Sequence, residues 1–96
     1  MTPEDKQAAR EAARTHLVEF LRILRSIPDQ HQASKPIYES EQLEKALQAF
    51  HMEAIRFRVY SLDRFINDRN SVATAEASQT FGELKKALES AGFQTR

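Results

Sequence analysis

The chain has no cysteine and no tryptophan, two glycines, three prolines and no excess of either charge. Each shortage removes a class of explanation. Without cysteine there is no disulfide, thiol nucleophile or thiolate metal site, which excludes zinc-finger chemistry and the usual staples of small secreted domains. There is no Gly-rich phosphate loop, nucleophile elbow or His-Glu-x-x-His segment, so the chain is not expected to be an enzyme, and no cofactor is expected. Lys plus Arg and Asp plus Glu each total 14. No global field therefore draws the chain to nucleic acid or anionic lipid. No apolar run approaches the roughly 18 residues of a membrane span, and the polar, Ala-rich segment up to Arg14 is not expected to act as an export signal. A cytoplasmic protein without membrane contact is expected.

What remains is a pattern of helices. The 96 residues, 41% hydrophobic and 29% charged, suit a single domain with one core. Thr2-Pro3-Glu4-Asp5 reads as a helix start, with a capping hydroxyl, a proline tolerated in the first turn and two acids at the positive dipole end. Ala9, Ala13, Leu17, Phe20, Leu21, Leu24 and Ile27 then recur at spacings of three and four until Pro28, which predicts a first helix over 3–27. Residues 28–39 lack periodicity and hold two prolines, so a long loop is expected there. Ser40 is a candidate cap for a second helix over 40–67, with Leu43, Leu47, Phe50, Ala54, Phe57, Ser61 and Phe65 on one seam. A third helix over 71–91, opened by Asn70, carries Ala73, Ala77, Phe81, Leu84, Leu88 and Ala91. Thr80-Phe81-Gly82-Glu83 has capping-box spacing, which leaves a break near Gln79 open. Gly92 and Phe93 are placed to close this helix in a Schellman motif. The expectation is an all-α domain of three helices.

The second helix offers more apolar surface than one neighbour would cover. Met52, Ile55, Val59, Leu62 and Ile66 share the helical period of the first seam but lie more than a quarter turn away. Either the helix is central, or that second face meets another copy of the protein. A homodimer built as a helical bundle, with those five residues at its interface, is the expectation drawn from this doubling.

Candidate chemistry is sparse. Glu44, His51 and Arg58, spaced by seven, would form one strip on a continuous second helix, suited to specifying a partner or binding an anion. His16 and Glu19 sit on adjacent turns, but in the reverse of the Glu-x-x-His order used by di-iron bundles, so no metal site is expected. Arg10, Arg14, Arg22, Arg25, Arg56, Arg58, Arg64 and Arg69 would favour a nucleic-acid-binding regulator, but acids are interspersed among them. Tyr38 and Tyr60 are expected at the edge of the core. The function that fits best is a self-associating helical module for protein–protein interaction, with an unidentified protein as a further partner.

Overall fold

The computed structural model describes residues 3–68, 73–93 and 95, and among these every regular element is an α-helix. There are four helices where three were expected: α1 (Pro3–Arg25), α2 (Gln30–Gln48), α3 (Met52–Asn67) and α4 (Ala75–Ser90). None is long and apolar enough to cross a membrane.

The first helix forms as its pattern demands. Ala13, Leu17, Phe20, Leu21, Leu24 and Ile27 are all buried, and Phe20 meets Phe81 of α4 with ring centroids 5.4 Å apart. Its last carbonyls are capped by the Gln30 side chain, whose amide donates to the carbonyls of Leu24, Arg25 and Ile27. Lone carbonyls at a helix end need such partners.

The expected loop at 28–39 is largely helix. Asp29 caps α2, its carboxylate accepting the Gln32 amide proton at 3.2 Å. Pro36 lies within the helix and is buried. A proline there removes one hydrogen bond, the one its nitrogen would have given to the Gln32 carbonyl. Gln32 lies on the exposed side, where water can serve that oxygen. Ala33, Pro36, Ser40, Leu43 and Leu47 make a buried stripe of mostly small residues. Ser40 is not a cap but a fully buried interior residue, its hydroxyl donating to the Pro36 carbonyl at 2.8 Å.

The helix expected over 40–67 is broken at Ala49-Phe50-His51. The Phe50 amide donates to the Leu47 carbonyl at 3.3 Å and the His51 amide to that of Ala46 at 3.0 Å, which is a Schellman closure. Phe50 takes the left-handed position with φ 54°. His51 then caps α3, its Nδ1 accepting the Ala54 amide proton at 3.1 Å. Nothing in this tripeptide is a glycine or proline, so the break has no ordinary sequence marker.

Helix α4 starts from Thr74, whose hydroxyl accepts the Ala77 amide proton, and runs without a break at Gln79. Asn70, the expected start, lies outside the described residues. At its end Gly92 has φ 94°, and the Gly92 and Phe93 amides reach the Glu89 and Leu88 carbonyls at 3.0 Å each. The anticipated Schellman motif is present.

Helix α1 packs on α4 and on α2, α2 packs on α3, and α3 touches α4 sparingly. One core runs through all four, with Leu17, Leu24, Leu43, Ile55, Val59, Leu62, Leu84 and Leu88 wholly inside. This placement corrects the reading of the second apolar face. Of its five residues, Ile55, Val59 and Leu62 belong to the chain's own core, Ile66 is partly buried and Met52 is exposed. The break splits the first seam: Leu43 and Leu47 face the core from α2, while on α3 it is the second seam, through Ile55, Val59 and Leu62, that turns inward.

Candidate interaction surface

Cutting the helix at residue 50 inverts the roles of its two seams. At about 100° per residue, Phe57, Tyr60 and Arg64 lie roughly half a turn from Ile55, Val59 and Leu62. The core takes the latter set, so the former faces outward. Phe57 and Tyr60 are 58% and 59% exposed, and Tyr38 on the neighbouring turn of α2 is 52% exposed. Phe50 (55%) and Met52 (45%), at the α2–α3 junction, are exposed as well, Phe50 beneath Arg10 of α1. Between α2 and α3 runs an open groove of about 810 Å³ whose walls include Lys35, Pro36, Phe57, Tyr60, Arg64 and Phe65.

One ion pair fixes this surface. The Arg58 Nη1 donates to the Glu39 carboxylate at 2.9 Å, joining α3 to α2. Glu39 is buried and Arg58 mostly so. The guanidinium lies 5.0 Å from the Phe57 ring centroid and 5.7 Å from that of Tyr38, where it meets the negative ring faces. A buried carboxylate is costly without such a partner. Arg58 thereby sets the spacing of the two aromatic residues it lies between.

The strip expected from Glu44, His51 and Arg58 is not assembled. Glu44 lines a shallow depression between α1 and α2 with Val18 and Leu21. His51 is consumed as a cap and Arg58 as the partner of Glu39. The tyrosines expected at the core edge and Phe57, expected in the seam, are the residues that stand out instead. Their outward position becomes readable only once the break at residue 50 is known, because the break decides which side of α3 faces in.

The remaining charges tie helices together. Arg22 holds Glu19 on its own helix through Nε at 3.0–3.1 Å and reaches Glu76 of α4 at 3.3 Å. Hydrogen bonding to Arg22, aided by its charge, keeps the Glu19 carboxyl below the usual glutamate value. Arg25 faces Glu41 at 3.6 Å, Lys85 holds Asp63 at 3.0 Å, and the His16 ring nitrogen lies 3.4 Å from Glu83. Arg10 covers the Phe50 ring at 4.5 Å. Of the arginines expected to form a basic patch, Arg10, Arg22, Arg25 and Arg58 are thus occupied by carboxylates or a ring, Arg14, Arg56 and Arg64 have no ion-pair partner among the described residues, and Arg69 lies outside them. Among the described residues, no three His, Asp or Glu side chains converge as metal ligands would. Comparison with protein-family models, curated proteins and solved structures finds no match, so what this surface does has to be argued from its own geometry.

Proposed function

We propose that the protein is a self-associating helical module for protein–protein interaction, and that the aromatic surface of α2 and α3 is covered by a second copy of the chain. The observation that carries this reading is the group of exposed aromatic side chains around Arg58 and the α2–α3 groove: Tyr38, Phe57 and Tyr60. Single exposed apolar residues are ordinary, whereas a contiguous group beside a groove marks a contact site. The chain's equal numbers of acids and bases leave no net charge to oppose contact with a second copy. Of the five residues expected at the interface, Ile55, Val59 and Leu62 instead hold the monomer together.

Sedimentation velocity from about 5 to 500 µM tests the reading. A mass that rises toward two chains, and that falls back to one in Phe57→Glu with an unchanged helical circular dichroism spectrum, supports it. A single-chain mass throughout that range overturns it.

A further inference from the structure

The outward face of α3 is a four-residue series, Glu53, Phe57, Tyr60 and Arg64, at spacings of four, three and four. These positions fall within a narrow wedge on the side opposite Ile55, Val59 and Leu62. All four are exposed, and among the described residues neither Glu53 nor Arg64 has an ion-pair partner. The series is its own complement when reversed. Laid antiparallel against a copy of itself, with the two-fold axis passing between positions 58 and 59, it sets Glu53 opposite Arg64 and Phe57 opposite Tyr60. Both pairings occur twice, as a two-fold contact requires.

We infer that the second copy is engaged through this face, α3 against α3 in antiparallel alignment, with two aromatic pairs at the centre and a Glu53–Arg64 pair closing each end. The inference rests on the self-association reading and specifies its geometry. A parallel alignment would put like charges together at both ends, so the pattern selects direction as well as partner. Helices at the usual interaxial separation of about 8–10 Å bring the Phe57 and Tyr60 rings of the two copies into contact. The Glu53 and Arg64 positions on one helix are about 16 Å apart at 1.5 Å per residue, so each charge pair sits beyond the aromatic centre, toward solvent. One helix pair is a small interface, at the weak end of specific contacts. The dimer is accordingly one that forms and dissociates readily.

Charge exchange tests the alignment. Glu53→Arg and Arg64→Glu each place like charges at both ends and should weaken self-association about tenfold. The double variant Glu53→Arg/Arg64→Glu restores opposite charges with no change in net charge, and should return association to within about twofold of the parent. All are read by sedimentation velocity from about 5 to 500 µM, with circular dichroism confirming the helical fold. A parent dimer that is indifferent to the single changes, or is not restored by the double one, overturns the antiparallel α3 contact and leaves self-association standing. A parent chain that stays single throughout overturns both.

Discussion

Glycine does opposite things at its two positions in this chain. Gly82 lies inside α4, and a methyl group added there meets nothing within 4 Å. An alanine keeps the helix and narrows the freedom of the unfolded chain, so Gly82→Ala should add about 0.5–1 kcal/mol. Thermal unfolding should show it as a rise of a few degrees. Gly92, with φ 94°, closes the same helix in a backbone region that other residues rarely adopt. There the identical change should cost about 1 kcal/mol and lower the midpoint by a similar margin. Phe50 shows that the position can be filled otherwise, with Arg10 lying over the ring that occupies it.

A second effect at this scale concerns acid. The Glu19 carboxyl is held low by its hydrogen bonds from Arg22. A depressed folded-state carboxyl stabilises the fold above its ordinary titration range and loses that contribution as pH falls through the depressed value. Carbon-detected NMR titration should therefore find Glu19 losing its charge at lower pH than in Arg22→Gln. The pair is open to solvent, so the accompanying change in stability should be small.

Among the elements, legibility in the sequence follows from where ordinary markers coincide with real ends. Helix α1 and the end of α4 were readable because their stripes are unbroken and Gly92 stands where a helix stop needs it. Helix α2 was hidden by Pro28 and Pro36, which read as loop formers. The stripe that commits it to the core is built from Ala33, Pro36 and Ser40, too small and too polar to register as apolar periodicity. The α2–α3 turn was hidden for the converse reason, since Phe50 continues the seam while its backbone ends the helix. The outward side of α3 is hidden with it, because the break sets which side faces the core. Beyond their shared core, Arg58 on Glu39 joins these two elements, and Arg58→Met should leave a buried carboxylate without its donor. A loss of about 2–3 kcal/mol is expected in urea unfolding, and Glu39→Gln/Arg58→Met should recover much of it.

For the whole molecule, the distinction between core and contact surface becomes an experimental one. Leu62 is wholly buried and Phe57, five residues earlier on the same helix, is mostly exposed. A carboxylate at Leu62 has no partner inside, so Leu62→Glu should unfold the chain, seen as loss of helical circular dichroism at any concentration. The same charge at Phe57 should leave the fold intact and change only the concentration dependence of its mass. Had α2 and α3 been one helix, the two substitutions would have exchanged outcomes.

The pairing of α1 with α4 has a bearing on how the protein is made. Phe20 and the stripe around it find their principal cover in Phe81 and its neighbours, about sixty residues further along the chain. During synthesis on the ribosome the side of α1 that meets α4 must therefore wait, uncovered there while some tens of residues are added. Such an interval invites chaperone attention, and it places completion of the core after translation of α4 rather than before.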